Sequence, residues 1–163
     1  MAYRMLRDKE EAEDVVQEVF VLIWHQQVNF REQAQLSTWI YRIATNKCID
    51  HLRAKKRRAI LRWLKPSTDK HFSAISEQFD VGSDPLEALY RKEQRLALHT
   101  ALATLPVMQQ SAFVLLKMEG LSQKEAAIVL NLSEKALESL LQRANKGLRK
   151  KLDKFYDERR KSK

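Results

Sequence analysis

Four helix-start signatures punctuate the chain and leave room for little except helices. Asp8 stands three residues before Glu11, Asp84-Pro85 precedes Glu87, Ser122 stands three before Glu125, and Ser133 opens a final run. A capping oxygen accepts from an orphan first-turn amide, and an acid at the third position answers it. Proline at the first helical position loses no hydrogen bond. Behind Asp8, the residues Ala12, Val15, Val16, Val19, Phe20, Leu22 and Ile23 recur at helical spacing, which predicts a helix over 9–27. A polar loop follows over 29–35. A second helix is expected over 36–58, with Leu36, Ile40, Ile43, Ala44, Cys48 and Leu52 as its buried stripe. Arg42, Asn46, Arg53 and Arg57 share another face. Three glycines and three prolines in 163 residues cannot furnish the turns of a sheet protein.

The pattern lapses over 59–83, where turn-rich polar words mark a flexible linker with a short helix at 59–64. Its apolar residues Trp63, Leu64, Phe72, Ile75 and Phe79 either fill a partner's groove or pack on the chain's own domains. Helices resume from Pro85 to Thr104 and from Pro106 to Glu119, the latter stopped by Gly120. A short helix to Leu130, a turn at Asn131-Leu132 and a longer helix through Leu152 or beyond complete the reading. The expected fold is all-α, with two small helical domains at 1–58 and 84–163.

Leu121 to Leu148 reads as a helix-turn-helix. Ala126, Ala127, Val129 and Leu130 supply the contacts between its helices, and Leu137, Leu140, Leu141, Ala144 and Leu148 form the second helix's inward side. The basic run from Arg143 to Lys154 sets it apart from a plain helical hairpin.

Charge agrees with a nucleic-acid partner. The net charge is +9; residues 1–58 hold 11 basic and 8 acidic side chains, and residues 106–163 hold 13 and 7. Basic side chains gain by releasing phosphate counterions. The uncharged stretch 19–30 is too short to span a bilayer, and the first residues lack the apolar core of a signal peptide. A soluble cytoplasmic protein with no membrane insertion of its own is expected. One cysteine, Cys48, excludes a disulfide framework. No His pair at metal-binding spacing and no Gly-rich phosphate loop are present, so neither an enzyme nor a cofactor is expected.

Residues 11–58 resemble region two of a bacterial RNA polymerase sigma factor of the extracytoplasmic-function group. The words are Ala12-Glu13-Asp14-Val15-Val16-Gln17-Glu18-Val19-Phe20, Phe30-Arg31, Thr38 through Asn46, then Asp50 and Leu52-Arg53. Residues 101–148 resemble region four of the same family through Leu105-Pro106, Glu119-Gly120-Leu121-Ser122, Glu125-Ala126-Ala127 and Ser139 through Ala144. The resemblance implies a subunit that gives core RNA polymerase its promoter specificity. Its partners would be core polymerase, promoter DNA and an anti-sigma factor.

The implied roles follow position by position. Asp14, Gln17, Glu18, Phe20 and Trp24 fall where the family docks on polymerase; the alternative is that Phe20 and Trp24 are core, the residue type favouring core for Phe20. Phe30, Arg31 and Asn46 fall where a flipped minus-ten base is captured. Trp39, Tyr41 and Arg42 fall in the strand-melting segment, and Trp39 also fits a core role. Arg53, Lys55, Lys56, Arg57 and Arg58 suit phosphate contact; the alternative is a solvated helix end favoured by the dipole. Minus-thirty-five reading falls to Glu138, Ser139, Gln142 and Arg143, with Lys135 and Lys146 on phosphates.

There are two departures from the family. Glu138 and Leu140 stand where it has basic residues on either side of the serine. In front of Ala12, only Tyr3, Met5 and Leu6 represent a further long helix, so either the start is truncated or the bundle leans on a partner. Two rival readings remain: a helix-turn-helix regulator that dimerises through 1–58, and an inactive sigma-like protein that only binds a regulator.

Overall fold

The computed structural model describes residues 1–26, 35–64 and 85–161, and every regular element among them is helical. In chain order these are α1 (Ala2–Leu6), α2 (Lys9–Gln26), α3 (Leu36–Leu64), α4 (Pro85–Thr104), α5 (Val107–Phe113), α6 (Gln123–Leu130) and α7 (Glu134–Lys161). A π-helical turn, Val114–Met118, follows α5 directly. Residues 27–34 and 65–84, and with them most of the expected loop and linker, lie outside the described residues.

The starts come where the caps place them. The Glu11 amide donates to Asp8 Oδ1 at 3.1 Å, while the Glu11 carboxylate crosses to Lys55 of α3. At α6 the box closes in both directions, with the Glu125 amide on Ser122 Oγ at 3.2 Å and the Ser122 amide on Glu125 Oε2 at 2.9 Å. The Ser122 hydroxyl, then the Ser122 amide, donate to the Glu125 carboxylate and hold it below its ordinary pKa. Ser122→Ala should therefore lower stability by about 1 kcal/mol, read by urea unfolding, without moving the m-value.

α5 does not run on to Glu119 as a regular helix. Its last turn widens, with the Glu119 amide on the Val114 carbonyl at 2.9 Å. Gly120, at φ 73, then ends it with a conformation that few other residues adopt readily. Gly147 eases a close approach instead. A Cβ there would meet Leu105 Cδ2 at 2.8 Å, so any side chain would force the Leu105 side chain at the α4–α5 corner to shift.

α3 departs from expectation at both ends. Leu36 is 54% exposed, whereas Thr38 two residues later is buried, so the first turn of α3 turns Leu36 away from the core. The short helix at 59–64 is the continuation of α3, which crosses the boundary drawn at Arg58 without a break. In between, Thr38, Thr45 and Ile49 join Cys48 and Leu52 as buried residues, while Ile40, Ile43 and Ala44 are only half-buried. One stripe does not suffice because α3 packs on two sides, against α1 and α2 and against α5 and α6.

That second side joins the two halves. A single core runs from Met5, Val15, Cys48 and Ile49 into Val107, Leu115, Ala126, Val129 and Leu137. Buried Gln110 of α5 donates to the Met5 carbonyl at 2.9 Å. Residues 1–58 thus lean on residues 84–163 of their own chain. The N-terminal residues form only the five-residue α1, which buries Ala2, Met5 and Leu6.

Candidate polymerase and nucleic-acid interfaces

The outer face of α2 is apolar where a surface helix should be polar. Gln17, Phe20, Val21 and Trp24 share one stripe, and Phe20, Val21 and Trp24 are 67%, 57% and 71% exposed. A groove between α1 and α2, lined by Tyr3, Val16, Gln17 and Phe20, continues the patch. Contiguous exposed apolar surface marks an interaction site, and large aromatics are the usual anchors there. The core alternative for Phe20 and Trp24 therefore fails. Asp14 and Gln17 are exposed beside the patch. Glu18 is engaged within the chain, its carboxylate 2.9 Å from Lys47 Nζ of α3.

On α3, Arg42 and Asn46 face solvent one turn apart. Trp39 and Tyr41 are half-buried, and the Tyr41 hydroxyl donates to Glu119 Oε2 at 3.2 Å. Burial, then the Glu119 charge and hydrogen bond, push the Tyr41 pKa up. Phe30 and Arg31 lie outside the described residues.

The basic run divides. Lys55 Nζ is 2.9 Å from both Glu11 oxygens, and Lys56 Nζ donates to the Leu105 carbonyl at 2.7 Å. Burial lowers the Lys56 pKa. Arg53 lies near Asp50 and Met108 Sδ, whereas Arg57 and Arg58 are exposed. The helix-dipole explanation does not hold for Arg57 and Arg58. α3 continues to Leu64, and the dipole acts mainly within the last turn.

In the helix-turn-helix, α6 buries Ala126, Ala127, Val129 and Leu130. α7 turns Leu137, Ala144 and Leu148 inward, with Leu140 and Leu141 half-buried. Asn131 reverses the chain at φ 54, and the Leu132 amide bonds to the Ala127 carbonyl at 2.9 Å. This geometry leaves Lys135, Glu138, Ser139, Gln142, Arg143 and Lys146 all exposed. Glu138 Oε1 accepts from Gln142 Nε2 at 3.4 Å, so the acid lies along the outward face beside a residue predicted to read bases. Glu138→Lys should raise duplex affinity, steepen its salt slope by about one counterion and change the preferred base at one position. Binding-site selection with both proteins checks this, and identical selected motifs would remove Glu138 from the reading face.

Sequence reasoning missed Glu119 as a hub. It bonds Arg4 at 2.9 Å, lies 3.4 Å from the Met1 ammonium and accepts from Tyr41. Its only sequence signal was its place in the Glu119-Gly120-Leu121-Ser122 word. Among the described residues no group of His, Cys, Asp and Glu could hold a metal ion, and no helix is long and apolar enough to cross a membrane. Cys48 is fully buried, its thiol pushed up to about 11 by burial.

Comparison with known proteins places both halves. Sigma-70 region 2 matches residues 1–58, and Sigma-70, region 4 matches residues 95–147. The RNA polymerase sigma-H factor of Pseudomonas aeruginosa is 32% identical, over 91% of this chain and 77% of that protein. The ECF RNA polymerase sigma factor SigW of Bacillus subtilis is 31% identical, over 93% and 81%. SigG of Mycobacterium tuberculosis is 33% identical, but the chain spans only 43% of it. Among solved structures, the sigma factor RpoE of Bartonella quintana, in complex with the anti-sigma factor NepR, shares the fold. Its TM-score is 0.67, over 93% of this chain and 87% of that one, at 22% identity. CnrH in complex with the cytosolic domain of CnrY gives a TM-score of 0.60 at 28% identity, over 93% and 78%. The chain therefore belongs to the sigma-70 family of RNA polymerase sigma factors, in its extracytoplasmic-function group.

Proposed function

We propose that this protein is a cytoplasmic promoter-specificity subunit that docks on core RNA polymerase and carries it to promoters with two separate elements. Residues 1–58 act as region two, 59–83 as the linker and 84–163 as region four. The observation that carries this reading is the pairing, on one chain, of an outward aromatic patch with two outward polar helix faces. Phe20 and Trp24 anchor α2 on the polymerase, with Asp14 and Gln17 at the rim.

Asn46 offers a donor and an acceptor to a flipped minus-ten base. The family resemblance assigns Phe30 and Arg31, outside the described residues, to the same base. Trp39, Tyr41 and Arg42 hold the opened strand, where stacking on an aromatic contributes about 1–3 kcal/mol per base. Exposed Arg57 takes phosphate directly, and Arg53, Lys55 and Lys56 do so once released from their contacts within the chain. α7 enters the major groove with Glu138, Ser139, Gln142 and Arg143 on base edges and Lys135 and Lys146 on the backbone. Polymerisation chemistry stays with the core enzyme. The two solved neighbours, each captured with an anti-sigma factor or its cytosolic domain, support control by a protein of that kind.

The test is selection of promoter fragments by the chain with and without core polymerase. The expected result is core-dependent enrichment of two sequence blocks at a fixed spacing. A single block, or a palindrome enriched without core, would support the dimeric regulator instead.

A further inference from the structure

The seam between the two halves pairs polar groups that it covers, as Gln110 does with the Met5 carbonyl and Lys56 with the Leu105 carbonyl. Arg7 breaks that rule. It stands between α1 and α2, in the left-handed region at φ 62 and ψ 16, where a residue with a Cβ is strained. Its Nε and Nη2 are closed to solvent and have no hydrogen-bond partner. Burial alone pushes its pKa down to about 10, so no carboxylate among the described residues compensates the charge. On α4, His99 is half-buried, and its Nδ1 is likewise closed off without a partner. Burial, then the Arg7 and Arg95 charges, push the His99 pKa down, so all three side chains lie close together.

A strained backbone and an unpaired buried guanidinium both work against folding, and groups of this kind collect at binding sites. The two open donors are also a matched pair. Nε and Nη2 form one edge of the guanidinium, with parallel N–H bonds, and that edge fits two oxygens of a single oxyanion. A carboxylate would be used up by the edge. A phosphate group keeps further oxygens for the His99 Nδ1 and for the Arg95 charge. A duplex backbone cannot reach donors closed to solvent, whereas a small molecule can enter as the half-buried Arg7 side chain rotates.

We propose that Arg7, His99 and Arg95 form a binding site for the phosphate group of a small molecule, between the end of α1 and α4. Occupancy gives Arg7 its missing acceptors and ties the α1–α2 corner to α4, so the ligand stabilises the folded chain. The site stands independently of the proposed function, since none of its three residues belongs to the docking or DNA-reading faces.

The experiment is calorimetric titration and thermal unfolding of the full chain with inorganic phosphate, against chloride at equal ionic strength. The parent should bind a single phosphate, and its unfolding midpoint should rise with phosphate but not with chloride. Arg7→Met keeps the length and the apolar stem; it should lose the heat of binding and the rise. Without phosphate it should unfold at or above the parent's midpoint, because an unpartnered buried cation is gone. Arg7→Lys keeps the charge without the edge and should weaken phosphate on the order of tenfold, as should His99→Leu. ADP in place of phosphate separates the sources. Tighter binding at the same site means the phosphate end of a nucleotide, and equal or weaker binding means free phosphate; both support the site. No phosphate binding by the parent, or equal binding by the parent and the variants, would overturn it. Displacement of bound phosphate by duplex DNA of scrambled sequence would assign the donors to a DNA backbone and overturn the small-molecule site. Should Arg7→Met not fold, Arg7→Lys and His99→Leu decide by the same titration.

Discussion

Replacing Phe20 and Trp24 together by alanine should weaken binding to core RNA polymerase by about 2–4 kcal/mol, roughly thirtyfold to several hundredfold. Both rings stand mostly in solvent on the outer face of α2, so the folded chain gains little from them. The variant's own stability should therefore stay within about 0.5 kcal/mol of the parent's. Had the rings been core residues, truncation would cost about 3–5 kcal/mol each, and binding would fall only because folding does. A titration with labelled core, paired with urea unfolding, separates the two. Full-strength binding by the variant would remove the α2 patch as the docking surface. The effect should be large because an interface centre is desolvated around its aromatics, whereas rim groups such as Asp14 and Gln17 stay wet.

Asn46→Ala should reduce promoter opening about tenfold to a hundredfold, equivalent to about 1–3 kcal/mol, while closed-complex binding changes little. Asn46 is exposed on α3, one turn from Arg42, on a part of the helix that the seam leaves uncovered. Alanine keeps the helix, and indeed favours it, so loss of structure cannot account for the defect. The missing bidentate contact acts only once a base has left the stack. A template opened in advance by mismatches should therefore restore most of the activity. Permanganate reactivity of thymines around minus ten reports opening directly. A footprint equal to the parent's would make Asn46 an ordinary surface residue.

The two parts of the account differ in how far the sequence reveals them. α2 and α6 are legible because their starts are local chemistry: Asp8 and Ser122 take first-turn amides wherever the rest of the chain lies. The helix-turn-helix is legible for the same reason, since its caps, its turn at Asn131 and its alanines all fall within about thirty residues. α3 is less so. A single apolar stripe describes a helix with one buried side, and α3 has two. Buried Thr45, with its hydroxyl unpartnered, and exposed Leu36 therefore run against their types.

The seam was not legible at all. Glu119, Arg4 and Tyr41 are polar or amphipathic residues far apart in sequence, and no local spacing brings them together. Nor could composition decide whether Phe20 and Trp24 face inward or outward. Apolar residues on an amphipathic helix look alike whether they meet the chain's own core or a partner's surface.

The most direct test of the central claim is run-off transcription with purified core polymerase on a promoter obtained by selection. The chain should convert core from inactive to active on that template, from a single start site. Transcription should disappear when either selected block is scrambled. Core that binds the chain but yields no transcript, or yields the same products without it, would contradict the assignment of this protein as a promoter-specificity subunit.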